Sequence, residues 1–217
     1  MFASTSFGEA DEREIRDLIG RYGLATLVSH SPSAGSQATA LPALFDPDDP
    51  SGQTLIGHMA RANPHWRSIM DGDAVLLLFR GPDAYVSPGH YRAEEDVPTW
   101  NYSAVQLRGH LRHAPDAAEN DRVLLRTVEH FEARLGQGWR LGDISPETVK
   151  MYSKGTASFS IAVTSIEAAH KMSQDKRRTD VVAVIEGLAT SDDKQARAVA
   201  ETMERITLRP GRHRPDS

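Results

Sequence analysis

The 217-residue chain is mildly acidic, with 30 Asp and Glu against 25 Lys and Arg and a formal net charge of -5. That balance excludes a broad basic surface for sequence-independent nucleic-acid binding, although a local basic patch is compatible with it. The chain contains 0 cysteines, which removes disulfides, thiolate metal sites, iron–sulfur clusters and cysteine nucleophiles, and its length can bury a real core.

Met1 to Ala10 is polar, without the apolar segment of a signal peptide, and no apolar run approaches bilayer length. The expectation is a cytoplasmic chain with no membrane contact. From Asp11 to Tyr22, Ile15, Leu18, Ile19 and Tyr22 fall at helical spacing behind leading acidic residues, and Gly23 ends the helix. Leu24 to Val28 reads as a strand, Ser31 to Gln37 as a hairpin loop, and Ala38 to Phe45 as a second strand. Pro42 implies an edge or a bulge there.

Leu55 onward is an apolar strand that turns at Asn63-Pro64 into a short helix ending near Met70. Asn63 suits the N-cap and Pro64 the first turn. At this switch stand Arg61, His58, His65, Asn63 and Trp66. A helix N-terminus with a forked cation beside it makes an anion site of phosphate size. Read singly, Trp66 and His58 are equally well packing residues and Arg61 a solvated charge.

Ala74 to Phe79 is a continuous apolar run bounded by Gly, hence a buried strand. Gly81-Pro82 and Ser87-Pro88-Gly89 bracket a further short strand, Ala84 to Val86, and Arg92 to Asp96 is a charged loop. Ala104 to Leu111 alternates as a half-buried strand should. A helical stripe follows from Asp116 to Leu135, Ser145-Pro146 opens a short helix, and Thr156 to Ile166 is β-rich. Thr179 to Leu188 and Asp192 to Ile206 read as helices, and the Pro/Arg-rich tail from Arg209 as disordered. Short antiparallel strands at roughly ten-residue spacing predict an α+β small barrel with peripheral helices.

Two further clusters carry polar chemistry. Lys171, Ser173 and Gln174 offer a cation, a hydroxyl and an amide, although composition alone favours a solvated basic turn. Thr99-Trp100-Asn101-Tyr102 sets a large ring between hydrogen-bonding side chains, an array that suits a planar ligand or a sheet core. No Walker loop, G-x-S-x-G elbow or H-E-x-x-H helix occurs, and the pairs His58/His65 and His110/His113 lack a carboxylate at metal-site spacing. No metal site is expected.

Several blocks together carry a family resemblance. They are Leu41-Pro42 with Asp46, Gly57-His58, Ala60-Arg61-Ala62-Asn63-Pro64 with Trp66, and Gly81-Pro82. Ala84-Tyr85-Val86-Ser87-Pro88 with Tyr91, Val97 to Tyr102, and Lys171-Met172-Ser173-Gln174 complete them. On these residues the chain, over about residues 5 to 190, resembles the PaiB-type FMN-binding negative transcriptional regulators, a branch of the split β-barrel flavoproteins. The resemblance implies an antiparallel split barrel, a homodimer with FMN at the subunit interface, and negative regulation of transcription. It makes Arg61 the phosphate partner, helped by Asn63, and lays His58, Thr39 and Leu41 along the ring or ribityl chain. Lys171, Ser173 and Gln174 would close the site, and Trp66, Trp100 and Asn101 complete the set of expected cofactor contacts. Domain bounds follow as 1–190 for the barrel with its helices, 191–208 for a C-terminal helix and 209–217 for the tail.

Three positions depart from the family pattern. Ala40 stands where His is usual, His90 where Trp is usual, and Asp175 where Asn is usual. The first two fall on ring-side contacts, and the third adds negative charge near the phosphate contacts. A flavin-dependent oxidoreductase and a haem-binding split barrel, with His58, His65 or His90 as axial ligand, stand as alternatives. DNA contact would have to come from Lys176-Arg177-Arg178 or the Arg-rich tail.

Overall fold

The computed structural model describes residues 11–91 and 97–208. The charged loop and the tail expected from the sequence therefore lie outside the described residues. The elements run α1 (Glu12–Arg21), β1 (Leu24–Ser31), β2 (Gly35–Phe45), β3 (Thr54–Ala60), α2 (Pro64–Ser68) and β4 (Ala74–Val86). They continue with β5 (Thr99–His113), α3 (Ala117–Leu135), α4 (Pro146–Gly155), β6 (Thr156–Lys171), α5 (Arg178–Ala189) and α6 (Lys194–Thr207).

The strands close into a barrel in the order β1-β2-β3-β6-β5-β4. β1 and β2 form a hairpin from Leu24↔Pro42 to Ser31↔Gly35, and β3 runs against β6 from Thr54↔Ala162 to Ala60↔Thr156. β1 also pairs with β4 through Thr26↔Leu78 to Val28↔Leu76, which shuts the ring. The α+β barrel expected from strand spacing is the fold observed.

Three local expectations change. Gly81-Pro82 does not break the chain, because β4 is one 13-residue strand through Val86. β5 starts at Thr99 and β6 reaches Lys171, so both run several residues beyond their alternating cores. Pro42 lies on no edge strand, since β2 has β1 on one side and β3 on the other. Its ladder with β3 begins only at Ala43, so the missing N–H falls at the end of that pairing.

The chain divides into two compact units, one of Met1–Ile15, Arg80–Val105 and Glu167–Ser217, the other of Arg16–Phe79 and Gln106–Ile166. The first has a core built from Ala84, Val86, Met172 and the inward faces of α5 and α6, including Val181, Val184, Val199 and Met203. In the second, Leu44, Ile56 and Val123 pack together beneath α3.

An ion-pair lattice fixes the N-terminal half of α3 to the loop after β2. Arg122 reaches Asp46 at 2.9 Å, Asp48 at 2.8 Å and Glu119 at 2.8 Å, and Arg126 pairs Asp48 at 2.9 Å. Asp46 is nearly buried, so removing its guanidinium strands a charge. Arg122→Ala is expected to cost about 1–3 kcal/mol in urea unfolding. An unchanged midpoint would reduce the lattice to surface decoration.

Candidate functional site

The bend between β3 and α2 forms as its residues dictate. Asn63 holds an extended backbone (φ -62°, ψ 125°), its side chain accepts from the His65 N–H at 3.0 Å, and Pro64 opens the five-residue helix. The turn closes by the Asn63 N–H donating to the Ala60 carbonyl at 2.9 Å.

His65 is 3 % exposed. Its Nε2 lies 2.8 Å from Ser29 Oγ on β1, and its Nδ1 lies 2.8 Å from Thr39 Oγ1 on β2. Asn63 Nδ2 donates to the same Thr39 hydroxyl at 3.3 Å. Thr39, Asn63 and His65 are thus one network that sets where the Thr39 hydroxyl points. The sequence shows His65 in the cluster but not this clamp, whose partners lie 26 and 36 residues away along the chain.

Arg61 is exposed, and its guanidinium lies across the end of α4. Nε donates to the Lys154 carbonyl at 3.2 Å and Nη2 to the Thr156 carbonyl at 2.9 Å, while its backbone N–H meets the Gly155 carbonyl at 2.9 Å. Carbonyls at a helix end lack intrahelical partners, so the contact satisfies them and orients the fork. Two of the five guanidinium N–H groups are used, and three remain for an anion.

His58 projects from β3, half-buried, and its Nδ1 is buried without a hydrogen-bond partner. Burial lowers its pKa from the usual histidine range, as it does for His65. An imidazole with an orphaned nitrogen and, three residues on, a forked cation with N–H groups to spare are chemistry that fits a polar, phosphate-bearing ligand such as FMN. Trp66 is half-buried with its ring 4.0 Å from the His113 ring, and Leu41 lies in the core.

The remaining expected contacts belong to the other unit. Asn101 is 0 % exposed, and its Nδ2 donates to Ser173 Oγ at 3.0 Å and to Met203 Sδ at 3.3 Å. Ser173 is buried too, in a left-handed conformation (φ 60°) that no other described non-glycine residue adopts. This pair shapes the turn after β6 from inside and faces no solvent. Lys171 Nζ bonds Thr99 Oγ1, and Gln174 folds back on the turn, accepting from the Met172 N–H at 2.6 Å and donating to the His170 carbonyl. Trp100 is exposed. Among the described residues no group of three His, Asp or Glu side chains could hold a metal ion.

His58 and His65 give a pH expectation. Both have folded pKa values below the unfolded one, so the folded protein binds fewer protons between them. Their contribution is present above the unfolded pKa of about 6.5 and is lost as pH falls through the folded values. Thermal midpoints should drop from pH about 7.5 to about 5, and less steeply in His65→Gln. Equal slopes would mean that His65 takes up its proton without disturbing the clamp.

The six-stranded closed barrel with its helices is the fold of the split-barrel proteins. The chain belongs to the family described as "Putative FMN-binding domain", which it matches over residues 1–165. It is 32 % identical to the protease synthase and sporulation protein PAI 2 of Bacillus subtilis (strain 168), over 94 % of this chain and 97 % of that protein. An uncharacterized protein of Aspergillus fumigatus is 28 % identical over 84 % of this chain and 87 % of its own length. Among solved structures, a FAD- and haem-binding protein from Mycobacterium smegmatis superposes with a TM-score of 0.56 at 15 % identity, covering 80 % of this chain and 78 % of that one. A conserved hypothetical protein from Mycobacterium tuberculosis gives 0.57 at 13 %, covering 82 % and 95 %. At these identities the structural likeness speaks for the fold alone. The family described by FMN binding, with this PaiB-type relative, is the one the sequence blocks resemble.

Proposed function

We propose that the chain binds FMN at the Arg61–Asn63 turn and acts as a PaiB-type regulatory flavoprotein, a cytoplasmic homodimer without turnover of its own. The observation that carries this reading is the Arg61 fork, oriented by the Lys154 and Thr156 carbonyls with N–H groups left over, three residues along the chain from His58, whose Nδ1 has no partner. Arg61 and Asn63 hold the phosphate, while His58 and the Thr39 hydroxyl, aimed by His65, bond the ribityl chain or ring edge. Leu41 and Trp66 supply apolar backing. Lys171 and Gln174 reach the ligand from the partner subunit, and Asn101 with Ser173 keeps their turn in shape from within. When bound, FMN supplies reversible electron transfer; the side chains around it bind, orient and exclude water.

Two of the basic residues that direct DNA contact would use already have partners within the chain. Arg177 pairs with the buried Asp180 at 3.2 Å and Lys176 lies over the Tyr91 ring at 5.2 Å. The second reading is a flavin oxidoreductase or a haem carrier, and the unpartnered Nδ1 atoms of His58 and His90 favour its haem form.

If two subunits complete the site, FMN must stabilise the dimer by mass action. Light scattering across a dilution series should show FMN shifting the chain toward dimer. A monomer that binds FMN with undiminished affinity would refute the shared site, and steady NAD(P)H oxidation by the FMN-loaded protein would replace the regulator with the enzyme.

A further inference from the structure

A cleft of about 530 Å³ opens within the unit that carries α5 and α6, bounded by Asp83, Tyr85, His90, Trp100, Gly187 and Asp193 among others. Its wall is aromatic. Tyr85 and Trp100 are 51 % and 53 % exposed, and their rings meet edge to face at 5.8 Å and 70°. The pair is held in place by its own contact, yet both rings stay half in water. Exposed apolar surface that borders a cavity marks a place where something binds.

The floor depends on a missing side chain. A Cβ on Gly187 would stand 2.5 Å from His90 Cδ2 and 3.0 Å from its Nε2, so the imidazole lies on α5 only because that position is glycine. His90 Nδ1 is buried and unpartnered, and such a group costs free energy until a ligand or water satisfies it.

The charged side chains on the lining are acidic. The described lining includes two carboxylates and neither Lys nor Arg. Asp83 pairs with the largely exposed Arg80 at 3.2 Å, and Asp193 accepts from the Gln195 N–H at 2.9 Å to cap α6. Each bond leaves the carboxylate with further acceptor capacity. A phosphate would meet repulsion here. A flat cation would find a ring face for its charge and carboxylates for its N–H or N–CH₃ edge.

We infer that this cleft binds a small flat organic cation, of the heteroaromatic ammonium class, at a site separate from the flavin site. Trp100, which the family resemblance would give to FMN, serves this cleft instead. The assignment does not depend on FMN binding, and the two stand or fall by different titrations.

The test is isothermal titration of the full chain with N-methylquinolinium, and with naphthalene-2-sulfonate as a flat anion of similar size. Saturable binding of one quinolinium per chain is expected, with the sulfonate at least tenfold weaker and the cation's affinity unchanged by saturating FMN. Trp100→Ala and Asp193→Asn should each weaken the cation roughly tenfold. Asn caps a helix as well as Asp does, so the second variant keeps the fold and removes only the charge. Equal affinity for the sulfonate, wild-type binding by both variants, or no saturable cation binding would overturn the inference. Competition by FMN would place the cleft in the flavin site. A changed oligomeric state in Trp100→Ala would make the aromatic pair a subunit contact. Either result also overturns the separate cation site.

Discussion

Arg61→Ala is expected to weaken FMN binding by about 1.5–3 kcal/mol, roughly ten- to a hundredfold in Kd. The reasoning starts from two contacts that have nothing to do with the ligand. The Lys154 and Thr156 carbonyls hold Nε and Nη2, so the donors left over point in a direction the protein has already fixed. A cation whose rotamer is set before binding loses little entropy when the phosphate arrives. Arg61→Lys should recover only part of the affinity, because a lysine ammonium can supply charge but not the planar fork. The same variants will loosen the end of α4, and a small fall in thermal midpoint is the expected side effect. Loss of stability without loss of affinity, read by fluorescence titration, would make Arg61 a helix-capping residue and no more.

Gly109→Ala is expected to damage the barrel itself. A Cβ at this position in β5 would lie 2.3 Å from the Ala162 carbonyl oxygen of β6 and 2.6 Å from Ile161 Cγ2. The obstacle is strand backbone, which cannot rotate aside as a long side chain can. Relief requires β5 and β6 to part, at a cost of about 1–3 kcal/mol or more. Urea unfolding followed by circular dichroism measures this directly. A variant as stable as the wild type would show that the two strands are not this close.

Much of the fold could be read from local signals. The strand-to-helix switch at Asn63-Pro64 needs only a cap side chain and a residue without an N–H, and both lie within two positions of the bend. The stripe from Asp116 gave α3 because its periodicity is long and unbroken. Gly81-Pro82 misled because that dipeptide ordinarily signals a turn, whereas here β4 continues through it. Pro42 misled for a related reason: a proline is tolerated between two strands when one ladder has not yet begun.

The candidate site was legible as residue types and not as contacts. Arg61, Asn63 and His58 could be named from one short stretch, but the carbonyls that steer Arg61 come from about ninety residues further on. His65 stood in plain view without its role, since Ser29 and Thr39 meet it only once β1 and β2 are side by side. Asn101 and Ser173 carry ligand-binding chemistry in the sequence, and in the fold both are buried and bonded to each other, a pairing across 72 residues that no local pattern announces. The cleft against Trp100 depends on a glycine in α5, and no pattern in the sequence links Gly187 to His90.

Whether FMN binds at the Arg61 turn is decided by titrating the purified full chain with FMN, followed by flavin fluorescence and the visible spectrum. Saturation is expected at one FMN per chain with a shifted flavin spectrum, and Arg61→Ala should need roughly ten- to a hundredfold more FMN to reach it. A folded chain that leaves the fluorescence and spectrum of FMN unchanged at every concentration would contradict that binding.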